Sequence, residues 1–166
     1  MKQTWIDLSI QWMKNEDEAQ EISRFLSGEA SFDDQHHTPG ELLHFQQDPL
    51  QSLHCAHVDY GFIRQDDQMA GVIAFRENEH QTGGYQCDYI VVHQHYRQQG
   101  MASALIEAML ARVADRGGRY ILSYTCDLPL YVPIQQLFAK KGFERVGYCP
   151  DFYYEGEGRL TYLRRC

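Results

Sequence analysis

Apolar residues recur at helical spacing near the start of the chain. In E-D-E-A-Q-E-I-S-R-F-L-S, residues 16–27, Ala19, Ile22, Phe25 and Leu26 share one face and Gly28 follows as a stop. The next stretch, through Pro39, is loop-like, and G-E-L-L-H-F-Q-Q (40–47) predicts a short second helix ending before Pro49. From Leu53 the pattern turns strand-like. H-C-A-H-V-D-Y-G-F-I-R (54–64), an acidic turn at Asp66–Asp67 and M-A-G-V-I-A-F-R-E (69–77) predict an antiparallel hairpin, and Y-Q-C-D-Y-I-V-V-H (85–93) follows the Gly83–Gly84 turn. Ala102, Leu105, Ile106, Met109, Leu110 and Val113 then mark a long amphipathic helix closed by Gly117–Gly118. R-Y-I-L-S-Y-T-C (119–126) reads as a strand entered after a crossover helix, hence parallel to the strand before it. I-Q-Q-L-F-A-K-K (134–141) is a last helix, stopped by Gly142, and F-E-R-V-G-Y and R-L-T-Y-L-R-R supply two final strands. No repeat or linker divides the pattern, so residues 1–166 are expected to form a single domain.

Composition narrows the function. Five cysteines (Cys55, Cys87, Cys126, Cys149, Cys166) form no C-x-x-C pair, and their odd number and scatter suit reduced thiols and a cytoplasmic location. The start, M-K-Q-T-W-I-D-L-S-I-Q-W-M, lacks an apolar stretch of signal-peptide length, and nowhere do about 18 apolar residues run together, so neither secretion nor a membrane role is expected. A formal charge of -8 argues against nucleic acid as a partner, whose phosphates need clustered Lys and Arg. The acidity is compatible with an amine-bearing substrate, and equally with simple solubility.

The most informative stretch is Y-R-Q-Q-G-M-A-S, residues 96–103, between the apolar Y-I-V-V (89–92) and the long helix. N–H groups in a first helical turn have no intrahelical partner, and the aligned peptide dipoles add partial positive charge there. Backbone alone can therefore hold an anion such as pyrophosphate. Gly100 has no Cβ to obstruct one, Ala102 is small, and Arg97 can add charge from the side. Neither G-x-G-x-x-G nor G-x-x-x-x-G-K-[ST] occurs, which excludes the two commoner phosphate cradles.

Here the sequence resembles the GNAT superfamily of N-acetyltransferases, whose acetyl-CoA motif is Arg or Gln, two residues, Gly, one residue, then Gly or Ala, after a strand ending in Val. R-Q-Q-G-M-A matches every defined position, with Val92 at the strand end. Further on, Y-V-P-I-Q-Q-L-F-A-K-K-G-F keeps Leu137, Gly142 and Phe143 in register with the family's Asn-x-x-Ala-x-x-Leu-Tyr-x-x-x-Gly-Phe. The resemblance covers residues 50 to 165 well and the N-terminal helices loosely. It implies an α/β (α+β) fold: a mixed, mostly antiparallel twisted sheet of about six or seven strands, a central parallel β-α-β unit and about four helices on both faces. It also implies acetyl-CoA as cosubstrate. Ile90, Val91 and Val92 would pair through their backbone with the pantetheine arm, and Arg97, Gln98, Gln99, Gly100, Met101, Ala102 and Ser103 would form the pyrophosphate cradle. A backbone N–H in that strand would polarise the thioester carbonyl, an effect typically worth about 3 kcal/mol.

The sequence departs from the family where Tyr131 replaces Asn, Ile134 replaces Ala, and Phe138 replaces the Tyr that commonly protonates the departing thiolate. A phenyl ring donates no proton, which leaves Phe138 to pack against the cofactor. Tyr131 is the candidate hydroxyl in its place, or else a cover for the loop. An alkyl amine is only about 0.1% neutral at pH 7, so a base is needed. Asp88, on the strand face of Ile90 and Val92, is the candidate, with Glu77 and Glu79 as rivals. Tyr153 and Tyr154 either border the acceptor pocket or form a hairpin edge. His93 and His95 lie beside the motif, and His36–His37, His54 and His57 form further pairs, but none has zinc-ligand spacing and no metal is expected.

The expectation is thus an enzyme acetylating a small-molecule or peptide amine by direct attack, compatible with a homodimer. The alternative is a CoA-binding regulatory module of weak or no activity on the same fold, which Phe138 and Tyr131 favour. The segment from Phe32 to Leu53 would line the acceptor pocket.

Overall fold

A computed structural model describes residues 6–33 and 36–166. In chain order the elements are β1 (Gln11–Trp12), α1 (Glu16–Leu26), α2 (Pro39–Ser52), β2 (Val58–Gln65), β3 (Gln68–Glu77), β4 (Gly84–Val92), α3 (Met101–Asp115), β5 (Tyr120–Cys126), α4 (Val132–Lys140), β6 (Glu144–Tyr154) and β7 (Glu157–Arg165). Single 3-10 turns stand at Gln94–Tyr96 and Pro129–Tyr131. The strands make one seven-stranded sheet in the order β1-β2-β3-β4-β5-β7-β6. β4 and β5 run parallel, as the crossover helix α3 predicts, whereas β1–β2, β5–β7 and β6–β7 are antiparallel. This is the mixed α/β architecture expected from the sequence. No helix among the described residues is long and apolar enough to cross a membrane.

Packing divides the chain into two compact units, one of residues through Ala74 with Tyr89–Met109, the other of Phe75–Asp88 with Leu110–Cys166. In the first, α1 starts at Asn15, whose Oδ1 accepts from the Glu18 N–H at 2.9 Å. α2 starts at a reciprocal capping box. Thr38 Oγ1 accepts from the Glu41 N–H at 3.2 Å, and Glu41 Oε2 accepts from the Thr38 N–H at 2.8 Å. Their apolar faces bury Ile22, Leu26 and Phe45 with Tyr60, Phe62, Met69, Val72, Ala74 and Val91 in one core.

The elements differ from the sequence reading in several places. α2 runs through Pro49 to Ser52 instead of stopping before the proline. Proline has no N–H to offer the carbonyl four residues earlier, here that of Phe45. Ser23 on α1 supplies the missing donor, its Oγ donating to the Phe45 carbonyl at 2.8 Å. Residues 54–57 are a turn and not strand, and β2 begins at Val58. A two-residue strand, β1, pairs Gln11 with Phe62 and Trp12 with Gly61. The Trp12 ring lies where a Cβ on Gly61 would approach to 2.9 Å, a contact that no periodicity announces.

The β2–β3 connection is the expected acidic turn, with Asp66 and Asp67 at φ 50° and 62°, both left-handed as a two-residue hairpin loop requires. In the second unit the β4–β5 ladder runs from Gly84↔Tyr120 to Cys87↔Ser123. β5 pairs with β7 along all of Tyr120–Cys126. β6 continues to Tyr154, farther than the sequence pattern showed, because irregularities between Arg145 and Gly147 and between Cys149 and Tyr154 break its alternation.

Candidate functional site

β4 alternates inward and outward. Val91 is buried, while Ile90 and Val92 are half-buried on the opposite face. Past Val92 the chain makes its 3-10 turn, with Tyr96 N–H donating to the His93 carbonyl at 2.9 Å, then passes Gln98 at φ 59° and Gly100 at φ 84° before α3 begins. The first intrahelical bond is Ala104 N–H to the Gly100 carbonyl, 3.0 Å, which places the N–H groups of Met101, Ala102 and Ser103 in the open first turn.

Several contacts fix this turn. Met101 is 1% exposed and roots α3 in the core. Close approach of α3 to β3 relies on Gly71, where a Cβ would sit 3.2 Å from Leu105 Cδ1. Gln94 ties the turn to the loop after α1, its N–H donating to the Ala30 carbonyl at 2.9 Å and its Nε2 to the Phe32 carbonyl at 3.1 Å. Arg97 does the same, with Nε on the Val92 carbonyl at 3.1 Å, Nη2 on the Ser31 carbonyl at 3.2 Å, and an ion pair from Nη1 to Asp33. The guanidinium is thus engaged with β4 and this loop.

The outward side of the turn is different. Gln98, Gln99 and Gly100 are exposed, and among the described residues a Cβ on Gly100 would meet only Leu8 Cδ1 at 3.8 Å. α1 and α2 place their own carboxylates in their first turns (Glu16, Asp17 and Glu18; Glu41), but α3 has none. Its N-terminal partial charge is left for an external anion. Among the described residues, open N–H groups, room above Gly100 and no competing acid in the first turn fit a diphosphate such as that of CoA.

Beside the turn, His93 Nδ1 accepts from the His95 N–H at 3.2 Å. Burial, followed by the nearby His95 and Arg97, lowers the His93 pKa. Behind β4, an aromatic chain joins the loop, α2 and the strand. Phe32 stacks on Phe45 at 5.2 Å, Phe45 meets Tyr89 edge-on at 5.1 Å, and His44 lies 5.2 Å from Tyr89. His44 also contacts Asp48 at 3.2 Å, and Tyr60 donates its hydroxyl to the same carboxylate oxygen at 2.5 Å. Sequence reasoning missed this His44–Asp48–Tyr60 group. The i, i+4 spacing of His44 and Asp48 was visible, but only on a helix that continues past residue 47.

The other candidates lie in the second unit. Asp88 Oδ2 accepts from Arg76 Nε at 2.5 Å and Oδ1 from Gln86 Nε2 at 2.9 Å, so both oxygens are engaged. Its rival Glu77 accepts from the Gly83 N–H at 2.9 Å and closes the β3–β4 turn, while Glu79 is exposed beside His80. Tyr131 ends the second 3-10 turn, half-buried, its N–H on the Leu128 carbonyl at 3.0 Å. Phe138 is 2% exposed, its ring 5.3 Å from both Phe143 and Tyr162. Tyr153 and Tyr154 end β6 at the hairpin leading to β7. Cys87 is buried beside Asp88, and burial above all pushes its thiol pKa far up.

A model of the acetyltransferase (GNAT) family matches residues 12–143. Among solved structures, a GNAT-family protein from Desulfovibrio desulfuricans superposes with a TM-score of 0.80 at 22% identity, covering 95% of this chain and 98% of that one. An aminoglycoside 6'-N-acetyltransferase complexed with coenzyme A gives 0.73 at 15% identity, over 95% and 96%. The ribosomal-protein-S18-alanine N-acetyltransferase from Escherichia coli gives 0.73 at 13%, over 95% and 94%. These identities speak to the fold. No curated protein matches the chain.

Proposed function

Because the chain belongs to the acetyltransferase (GNAT) family, we propose that it moves an acetyl group from acetyl-CoA to a primary amine by direct nucleophilic attack. The observation that carries this reading is the open turn at Gly100, with φ 84°, space above it and the α3 N–H groups beneath. In this reading Gln98 to Ser103 hold the diphosphate, and the backbone of Ile90, Val91 and Val92 runs beside the pantetheine. Arg97 acts by shaping the turn, since its guanidinium already binds Val92, Ser31 and Asp33. A coenzyme A complex of a protein with the same fold supports the choice of cosubstrate.

When bound, acetyl-CoA supplies an activated thioester. The amine nitrogen bonds to the acetyl carbon, the carbon–sulfur bond breaks, and the amine's surplus proton passes to a base. Orientation of the two reactants and a fixed N–H donor on β4 carry most of the rate. Phe138, packed against Phe143 and Tyr162, has no proton to give the departing thiolate. Tyr131 is the hydroxyl proposed to protonate the thiolate, a step for which a general acid contributes about 10²- to 10⁴-fold. Asp88 can take the amine's proton only by sharing an oxygen with Arg76 or Gln86. Asp88→Asn should therefore lower kcat more at pH 7 than at pH 9, where more of the amine is already neutral.

Thiol release from acetyl-CoA across a panel of amines, with mass detection of the acetylated product, tests the proposal. A second reading, a CoA-binding module without turnover, is favoured by the buried phenyl ring at residue 138 and by the occupied Asp88. It is distinguished by CoA-induced stabilisation with no thiol release from any amine.

A further inference from the structure

Arg159, on β7, pairs with Cys126 of β5 on one side and Cys149 of β6 on the other. Its guanidinium is held between two aromatic rings, with Cζ 4.4 Å from the Tyr124 centroid and 4.1 Å from that of Phe152. Two aromatic contacts thus hold the cation in place. Nε is buried and has no hydrogen-bond partner. Among the described residues no carboxylate forms an ion pair with this arginine. Asp127, the residue after Arg159's strand partner Cys126, is engaged elsewhere. Its Oδ1 accepts from the Gly158 N–H at 2.8 Å and its Oδ2 from the Tyr148 hydroxyl at 2.9 Å.

Leaving a buried donor without an acceptor is costly, and proteins rarely do so without a ligand or water to complete it. Stacking is also an efficient way to pre-orient a guanidinium edge, whose planar fork matches the two oxygens of a carboxylate or phosphate. The place matters as well. Tyr124 directly follows Ser123, where the β4–β5 ladder ends, so the stacked cation stands one strand away from the end of the parallel pair.

We propose that Arg159, clamped between Tyr124 and Phe152, binds an oxyanion, carboxylate or phosphate, carried by the amine acceptor, so that the preferred substrates are amines bearing a negative group. This rests on the acetyl-transfer reading given above for its substrate, but the binding site itself does not.

The test pairs acceptors that differ only in charge, namely amino-terminal dipeptides with a terminal carboxylate against their amides, and aminoalkyl phosphates against the parent amino alcohols. The full-length protein should acetylate the anionic member with a kcat/KM about 10- to 100-fold higher, the range expected for a charge-assisted hydrogen bond. Arg159→Gln should remove that preference chiefly through acceptor KM, leaving neutral acceptors and the KM for acetyl-CoA unchanged. Arg159→Lys should restore it in part. The proposal is overturned if charged and neutral partners react alike, if Arg159→Gln slows both equally, or if it raises the KM for acetyl-CoA, which would assign the guanidinium to the cosubstrate's phosphates. Inorganic phosphate provides a readout independent of turnover. It should raise the melting temperature of the wild type more than that of Arg159→Gln, which keeps the α3 turn as its remaining anion site. Loss of thiol release with retention of that difference defeats acetyl transfer but upholds the anion site; absence of the difference defeats the anion site.

Discussion

Arg97 donates from Nε to the carbonyl of Val92 at 3.1 Å, tying the last residue of β4 to the start of the turn that opens α3. Its other nitrogens reach Ser31 and Asp33, so one side chain sets both the cradle and the loop after α1. Arg97→Ala should lower stability by about 1 to 3 kcal/mol, mostly through the two carbonyls it leaves unpaired, since Asp33 is half exposed. Urea denaturation should show a lower midpoint with unchanged slope. Arg97→Lys should recover less than half of the loss, because one ammonium cannot span three acceptors as a planar fork does. An unchanged midpoint in Arg97→Ala would show that the turn stands without this side chain.

The Ser23 hydroxyl and Pro49 form a compensating pair across α1 and α2, acting through the Phe45 carbonyl. Ser23→Ala should cost about 1 to 2 kcal/mol by leaving that part-buried carbonyl without a donor. Pro49→Ala restores the N–H four residues on, so the loss should be clearly smaller in Ser23→Ala/Pro49→Ala than in Ser23→Ala alone. Strict additivity in the double-mutant cycle would refute the compensation.

This pair also shows where sequence reading reaches its limit. The strand–turn–helix at Val92 to Val113 was legible because apolar period, glycine position and helix start all agree locally. The α2 extension was not, because the donor that replaces the proline's missing N–H lies 22 residues from the Phe45 carbonyl it serves, on another helix. β1 is too short to show a period, and Trp12 identifies its partner only once Gly61 is in place. Of the candidate site, the R-Q-Q-G-M-A turn could be read directly. The direction of Arg97, toward Asp33 and not toward an anion, depends on a loop that periodicity does not constrain. The same holds for Asp88, whose neighbour Arg76 comes from the adjacent strand.

His93 gives a pH dependence with a definite sign. Its pKa is lowered in the fold, so as pH falls below about 6.5 the unfolded chain binds the proton first. Stability should therefore decline as pH drops from about 6.5 to the depressed native value, and rise with pH across that window. Protonation at Nδ1 would also break its bond from the His95 N–H. The stability difference between wild type and His93→Gln should change across this window and be constant above it. A difference that is flat throughout would remove His93 from the account.

Gly100 is where the functional reading is most exposed to test. Its φ of 84° disfavours any side chain, so Gly100→Ala and Gly100→Glu should each lose about 1 to 3 kcal/mol of stability. Only the glutamate adds a carboxylate to the space above the α3 N–H groups. The decisive measurement is the stabilisation of wild type and both variants by coenzyme A at about 100 times its wild-type dissociation constant. The wild type should gain about 2.7 kcal/mol, Gly100→Ala should keep a substantial part of that gain, and Gly100→Glu should gain almost nothing. Equal stabilisation of Gly100→Glu and the wild type would place the diphosphate elsewhere and contradict the account.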